Sequence, residues 1–243
     1  MPTLSNQDLL QIWEYGSLIK PHEYGRLLLT MGMPELDAAE LPNMTIGERD
    51  KLLLQLRGEM FGSRFDARVP CEQCGEKMEV AFDVADIMVE DDCEKKEREV
   101  ELGNHTVRYR VLAIKDLDVL SSLNDGRKIE ECLFSRCLLE IRRNGSVVDE
   151  SDLSASEKDT IIHHIAQADP QSEVLIKLEC PYCQTSSEVV FDIVSYVHTE
   201  INHYAQRLLL DVHYLSASYG WREKDILAMS AHRRQAYIDV ITA

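Results

Sequence analysis

Two short stretches of this 243-residue chain each carry a pair of cysteines separated by two residues. Cys71 and Cys74 lie in CEQCGEKMEVAFD, and Cys180 and Cys183 lie in CPYCQTSSEVVFD. Four cysteine thiolates form the tetrahedral shell that is typical of structural zinc. A single C-x-x-C pair is also the motif of thioredoxin-like redox proteins, and four unligated thiols in two turns are a third interpretation. The surrounding sequence must decide among these three.

The two stretches are copies of one pattern. A shift of 109 positions aligns Cys71 with Cys180 and Cys74 with Cys183. The same shift aligns Glu79 with Glu188, Val80 with Val189, Phe82 with Phe191 and Asp83 with Asp192. A thioredoxin-like motif opens a helix in a βαβ unit, and neither copy has that setting. We therefore predict one structural Zn²⁺ ion bound by Cys71, Cys74, Cys180 and Cys183, with iron as the alternative metal for the same shell.

The elements that would position these thiolates are two β-hairpins, each with a cysteine knuckle at its tip. Val174, Ile176 and Leu178 alternate before Cys180, as in a strand. The residues predicted to form the apolar face under the metal are Val80, Phe82, Val84, Val189, Phe191 and Ile193. Although 105 residues separate Cys74 from Cys180, loop-closure entropy costs only about 0.6 kcal/mol per doubling of length. The sequence thus predicts a zinc ribbon that is split by an insert.

The rest of the chain predicts an α+β fold, with mostly helical N- and C-terminal parts around the split four-cysteine zinc-ribbon-like β unit and an α/β insert between its knuckles. Capping boxes at Thr45 and Ser154 predict helix starts, and Gly103-Asn104 and Asn144-Gly145 predict hairpin turns. The predicted segments are 1–68 (N-terminal helical region), 69–93 (first knuckle and hairpin), 94–171 (insert), 172–195 (second knuckle and hairpin) and 196–243 (C-terminal helical region).

The composition narrows the class of function. A formal net charge of −17 disfavours nucleic-acid binding, which usually depends on a basic surface, and suits a basic protein partner. The chain has no uncharged apolar run of membrane-spanning length, and its start lacks the pattern of a signal peptide. We therefore expect it in the cytoplasm of the producing cell, where thiols stay reduced.

No catalytic motif accompanies the cysteines. None of the eight histidines lies in an HExxH motif, and the sequence contains no P-loop and no GxSxG elbow. Four thiolates also saturate a zinc ion, whereas catalytic zinc keeps a position for water. We predict no catalytic residues and no enzymatic activity. Cys132 and Cys137 are expected to be free thiols in a helical stretch, and Cys93 is expected to lie in a solvated connection.

Several motifs together resemble a known family. They are LLQIWEYG at 9–16, RDKLLLQLRGEMFG at 49–62, the two knuckles, DPQSEVLIKLECPYC at 169–183 and HYLSASYGWREKDILAMSAHRRQAYIDVI at 213–241. In this order they resemble the baseplate proteins of T-even-type contractile phages, in particular the baseplate hub subunits and hub assembly chaperones. Relatives occur in phage-tail-like contractile injection systems. The resemblance implies an assembly chaperone or minor structural subunit that binds baseplate hub or tail-tip proteins, in the bacterial or infected host cell and in some members within the virion or injection particle.

The C-terminal part carries the predicted partner-binding residues, Tyr219, Trp221, Arg233, Arg234 and Tyr237. Large aromatics with polar tips are enriched at protein interfaces, and the two arginines are basic residues in an acidic chain. The alternative interpretation is that these aromatics close a helical hairpin and the arginines cap its last helix.

An alternative function is a zinc-ribbon regulator or adaptor of the transcription or translation machinery. It requires a basic or aromatic face on the ribbon. The residues around the knuckles are mostly acidic instead, namely Glu72, Glu76, Glu79, Glu179 and Glu188.

Overall fold

The computed structural model describes residues 4–89 and 97–242. The helices are α1 (Asn6–Gly16), α2 (Pro21–Gly32), α3 (Ile46–Phe61), α4 (Val84–Ile87), α5 (Gly126–Cys137), α6 (Ala155–Ala168), α7 (Ile193–Tyr219), α8 (Glu223–Leu227) and α9 (Ala231–Thr242). The strands are β1 (Arg64–Pro70), β2 (Lys77–Asp83), β3 (Glu97–Leu102), β4 (His105–Arg110), β5 (Leu138–Arg143), β6 (Ser146–Val147), β7 (Val174–Glu179) and β8 (Ser186–Phe191). Among the described residues, no helix combines the length and the apolar character needed to cross a membrane.

The chain divides into two compact units. Residues 1–35 and 193–243 form the first, which we call the helical unit, and residues 36–192 form the second, which we call the mixed unit. The mixed α+β character agrees with the sequence prediction. Residues 36–68, which the sequence placed with the N-terminal helical region, belong to the mixed unit and include strand β1 from Arg64 onward.

The first two helices of the helical unit begin at recognisable start signals. Ser5 caps α1 and forms a capping box with Asp8, and α2 begins at Pro21. Gly220, with φ of 67°, ends the long helix α7. The core between α1 and α7 contains Leu10, Ala205 and Leu208, with Trp13, Tyr204 and Leu227 packed against it. The Trp13 indole also donates to the Asn202 side chain of α7 over 2.9 Å.

The insert of the mixed unit is a four-stranded antiparallel sheet in the order β3-β4-β5-β6. Its turns lie at Gly103-Asn104 and Asn144-Gly145, as predicted. Helices α5 and α6 cover it through a core of Val107, Phe134, Ile141, Leu153 and Ile161. Helix α5 ends at Cys137, and strand β5 begins directly after it at Leu138.

Helix α3 is fixed to the insert at its N-terminus. Thr45 caps the helix as predicted, and the Gly47 amide donates to the Asp169 carboxylate over 2.8 Å. A Cβ at Gly47 would lie 1.8 Å from that carboxylate, so the close approach requires glycine. The Ile114 amide donates to the Met44 carbonyl over 2.9 Å. These bonds hold the helix that precedes the first hairpin against the insert that precedes the second.

Candidate metal centre

Two antiparallel hairpins carry the cysteines. Strand β1 pairs with β2 and β7 pairs with β8, and each pair forms a two-stranded sheet. The pairing ends at Pro70 and Lys77 in the first hairpin and at Glu179 and Ser186 in the second. Each C-x-x-C motif therefore occupies the tip of a hairpin, as the sequence predicts.

The two tips have the same backbone geometry. In the first, the Cys71 amide donates to the Glu76 carbonyl over 2.8 Å, and the Gly75 amide donates to the Cys71 carbonyl over 2.8 Å. The second tip repeats both bonds 109 residues later, with lengths of 3.0 and 2.8 Å. The φ angles are positive at the equivalent positions, 77° at Gly75 and 60° at Gln184. The repeat found in the sequence is thus a repeat of structure.

The four sulfur atoms converge from the two tips. Sγ of Cys71 lies 3.6 Å from Sγ of Cys183, and Sγ of Cys74 lies 3.7 Å from Sγ of Cys180. All four sulfurs lie within 4.8 Å of one another. Sulfurs in a tetrahedral shell with bonds of about 2.3 Å are about 3.8 Å apart, whereas a disulfide requires about 2.05 Å. The arrangement matches a four-sulfur metal shell, and the four cysteines lie close enough to hold one ion.

The thiols of this cluster differ in their affinity for protons. The side-chain and backbone hydrogen bonds of Thr185 lower the pKa of Cys183 to about 6. At Cys74 the Glu76 backbone lowers the pKa, but desolvation and the neighbouring sulfurs outweigh it and raise the pKa to about 12. Four thiolates at this separation repel one another, so a cation that replaces the protons relieves the repulsion. The donor set therefore fits a bound metal ion.

The packing beneath the sulfurs follows the prediction only in part. Buried Cys71, Met78 and Cys180 form a cluster that Val69, Val80, Leu178 and Cys183 complete. Val84 and Ile193, predicted to continue this face, instead begin helices α4 and α7. In the first hairpin, Asp83 ends the strand because it caps α4, where its amide donates to the Asp86 carboxylate over 2.8 Å.

The two hairpins meet a second time at a cluster of three phenylalanines. Phe65 is fully buried and stacks on Phe82 at a centroid distance of 5.0 Å. Phe191 of the second hairpin meets both rings edge-on at 5.3 Å. The Arg57 guanidinium lies 4.0 Å from the Phe65 ring centre and donates to the carbonyls of Gly62 and Arg64 over 2.6 and 2.7 Å. Phe65 and Arg57 were missed by the sequence analysis, although the alternation from Phe65 to Val69 was a usable signal.

The buried side chain of Gln171 links the two ends of the segment that lies between the two hairpins. The Val89 amide donates to the Gln171 side-chain oxygen over 2.7 Å, and the Gln171 amide group donates to the Ile87 carbonyl over 3.3 Å. Ile87 and Val89 follow the first hairpin, and Gln171 precedes the second. No pattern in the sequence pointed to this residue.

The predicted partner-binding residues lie in the helical unit, where Tyr219, Trp221 and Tyr237 form one cluster. Tyr219 stacks on Trp221 at 4.5 Å, and Tyr237 meets the Trp221 ring edge-on at 4.9 Å. The exposed Arg233 guanidinium lies 5.8 Å from the Tyr237 ring centre. Arg234 is only 3% exposed and pairs with Asp211 at 3.2 Å. The structure therefore groups the aromatics with Arg233 and places Arg234 in the interior, which favours a structural role for Arg234.

Cys132 and Cys137 stand apart from the cluster. Cys137 is buried and Cys132 is partly buried, and both are free thiols, as predicted. Burial raises the pKa of Cys137 to about 11, so this thiol is inert near neutral pH. Cys93 lies outside the described residues.

Comparison with known proteins places the chain in a family. The model of the family described as T4 bacteriophage base plate protein matches residues 33–198, which is more than half of the chain and includes the whole mixed unit. The chain belongs to the T4 bacteriophage base plate protein family, and this membership supports a structural role in the phage baseplate. No curated protein and no solved structure matches the chain significantly.

Proposed function

We propose that this chain is a non-enzymatic assembly chaperone or minor structural subunit of the baseplate hub in a contractile phage tail or a phage-tail-like injection system. It acts by binding other proteins and is braced by one structural zinc ion. The observation that carries the proposal is the family match over the whole mixed unit. The convergence of four sulfurs from two distant hairpins supports the metal-braced scaffold.

Zinc suits this set of donors and this role. Cys71, Cys74, Cys180 and Cys183 together fill a tetrahedral shell, which leaves no position for a reacting water. A bound Zn²⁺ would accept electron pairs from the four thiolates and offset their negative charge, and it would not undergo redox chemistry. Cysteine sulfurs also bind iron, so metal analysis of the purified protein must distinguish the two metals.

The cluster of Tyr219, Trp221, Tyr237 and Arg233 is the proposed docking surface of the helical unit for baseplate hub or tail-tip proteins. Its rings combine large apolar areas with polar tips, which is the composition of interface hot spots. Arg233 adds an exposed positive charge to a chain of net charge −17. The buried Arg234 supports this surface indirectly, because its pair with Asp211 and its bond to the Met229 carbonyl hold α9 against α7.

Co-expression with hub and tail-tip proteins of the same phage or injection system tests this proposal. We expect a defined complex on gel filtration, weakened by Trp221→Ala and by the surface charge change Arg233→Glu. Tyr15→Ala is the control, because Tyr15 is an exposed aromatic residue of the helical unit outside this cluster. Failure of every hub and tail-tip protein to bind the zinc-loaded wild type would overturn the proposal.

We propose that the chain is made in the cytoplasm of the bacterial or infected host cell, where its reduced thiols bind the ion. Incorporation into the virion or injection particle follows if the chain is a subunit rather than a chaperone. Mass spectrometry of purified particles separates the two roles. The regulator of transcription or translation gains no support, since the five glutamates around the knuckles are all exposed and would repel a nucleic acid.

A further inference from the structure

The two hairpins differ most on their outer faces, which point away from the shared core. On the first hairpin this face carries Arg64, Asp66, Arg68, Lys77, Glu79 and Asp83, all exposed. Three cations thus balance three carboxylates. Arg68 pairs with Glu79 across the strands at 2.9 Å, and Arg64 pairs with Asp66 at 3.2 Å. This face neutralises its own charge.

The second hairpin has an apolar pair at the centre of the same face. The positions equivalent to Asp66 and Ala81 are Leu175 and Val190, which are direct cross-strand partners. Their side chains are 49% and 58% exposed. A single exposed aliphatic residue is ordinary on a protein surface, whereas two adjoining ones form a continuous patch that water must cover.

Acidic side chains surround this apolar pair. The exposed charged residues that flank the pair on this face are Glu173, Lys177, Glu179 and Glu188, so three carboxylates face one cation. The equivalents of Arg64, Pro70 and Lys77 in the first hairpin are Glu173, Glu179 and Ser186 here. Lys177 approaches Glu188 only at 3.5 Å and is 85% exposed, so it offsets little of the negative charge.

We propose that this outer face of the second hairpin, centred on Leu175 and Val190, is a docking surface for a basic protein segment. The segment presents apolar side chains between lysines or arginines. Charge complementarity selects that occupant, because an acidic or neutral surface would leave the carboxylates uncompensated. The inference deepens the proposed protein-binding role and assigns the mixed unit its own contact surface.

The duplicate hairpin provides matched variants. Leu175→Asp with Val190→Ala replaces the apolar pair by the residues that the first hairpin carries at the same positions. The reverse change, Asp66→Leu with Ala81→Val, places the pair on the balanced face of the first hairpin. Because all four positions are exposed, both proteins should keep the metal content and unfolding temperature of the wild type.

The probe is a synthetic nine-residue peptide with a central Leu-Val pair flanked by lysines, and its control carries glutamates in place of the lysines. Binding to the zinc-loaded full chain is measured by NMR chemical-shift titration, which locates the contact. We expect saturable shifts confined to residues 173–192, weaker at high salt, with no response to the glutamate peptide. We expect the Leu175→Asp/Val190→Ala protein to bind about tenfold more weakly, a difference of about 1.4 kcal/mol.

The outcomes separate this inference from the proposed function. Shifts spread over the acidic surface, or unchanged affinity in the Leu175→Asp/Val190→Ala protein, would overturn the docking surface even if hub proteins bind the chain. Equal gain of binding by the Asp66→Leu/Ala81→Val protein would also overturn it, since the acidic surround would then be irrelevant. Localised peptide binding supports the surface, including when no hub protein binds and the baseplate role fails.

Discussion

The two knuckle hairpins are alike at their tips and differ on their outer faces and in the helices that follow them. Both tips repeat the same two backbone bonds and contribute two sulfurs to one cluster. The first hairpin runs into α4, which has four residues, whereas the second runs into the 27-residue α7. The difference teaches that a four-sulfur shell constrains only a few residues around each cysteine pair, while the strands below can take on separate tasks in packing and binding.

The largest effect is expected from breaking the shared tip. Cys74→Ser and Cys183→Ser, one from each hairpin, should each abolish stoichiometric metal binding and lower the free energy of unfolding by about 4 kcal/mol or more, as expected for loss of a metal site. Removal of the metal with a chelator should have the same effect on the wild type. Metal analysis and urea unfolding measure both quantities.

Cys132→Ser is the matched control for these cysteine variants, because Cys132 is a free thiol outside the cluster, and Cys93→Ser should likewise change little. A protein that keeps one equivalent of metal after loss of Cys183 would contradict the four-cysteine shell.

The second largest effect is expected at the base of the hairpins, where the two contribute unequally to the free energy of unfolding. Phe65→Ala removes the fully buried ring that joins Phe82, Phe191 and Arg57, and we expect a loss of about 3 to 5 kcal/mol. Val174 occupies the equivalent position of the second hairpin and is partly buried, so Val174→Ala should cost only about 1 to 2 kcal/mol. Similar losses at the two positions, measured by urea unfolding, would refute this asymmetry.

The aspartates that end the two hairpins, Asp83 and Asp192, are expected to differ in their effect on how stability depends on pH. Burial raises the pKa of Asp50 to about 6 against the effect of Arg49, and Asp192, at the exit of the second hairpin, adds to the rise. A carboxyl with a raised pKa stabilises the fold fully below its unfolded pKa near 4, and that stability is lost as the pH rises through about 6.

Asp50→Asn should therefore flatten the decline in stability between pH 4 and pH 7, an effect of about 3 kcal/mol. Asp192→Asn should flatten it by less. Asp83→Asn, at the exit of the first hairpin, should leave this part of the curve unchanged. Urea unfolding at each pH gives the three curves, and identical slopes in the wild type and Asp50→Asn would exclude Asp50 as the source.

The smallest effect concerns the positive φ angles at the two tips. Gly75→Gln forces a side chain into the left-handed region and should cost about 1 kcal/mol. Its mirror, Gln184→Gly, relieves that strain but frees the unfolded backbone, so its net effect should lie within about 0.5 kcal/mol of zero. Thermal unfolding of the metal-loaded proteins distinguishes these outcomes. Destabilisation by Gln184→Gly as large as that by Gly75→Gln would show that the tips differ in more than backbone strain.

The sequence predicted those parts of the molecule that local chemistry determines. The knuckles, the capping boxes at Thr45 and Ser154 and the glycine turns follow from spacings of a few residues. The repeat at a spacing of 109 residues also allowed the four-cysteine cluster to be predicted, because a metal shell requires its four ligands to lie together. Residues that act across the fold without such a requirement were missed.

Phe65 and Gln171 illustrate that limit. Phe65 is followed by an alternating strand, but a preceding helix of 16 residues concealed the change of period. Gln171 is one of many polar residues in the chain, and its role depends on backbone groups more than 80 residues away. Arg234 was predicted to face a partner from its charge alone, whereas its burial depends on Asp211 in another helix.

The length of the segment between the two hairpins has a consequence for synthesis. Cys71 and Cys74 leave the ribosome 109 residues before their counterparts, a delay of roughly 5 to 20 s at ordinary translation rates. During that interval only two of the four thiols of the cluster have been made, too few to complete its tetrahedral shell. All four cysteines of the cluster are available only after the intervening sheet and helices have been synthesised, so a metal ion that needs all four would bind late in synthesis.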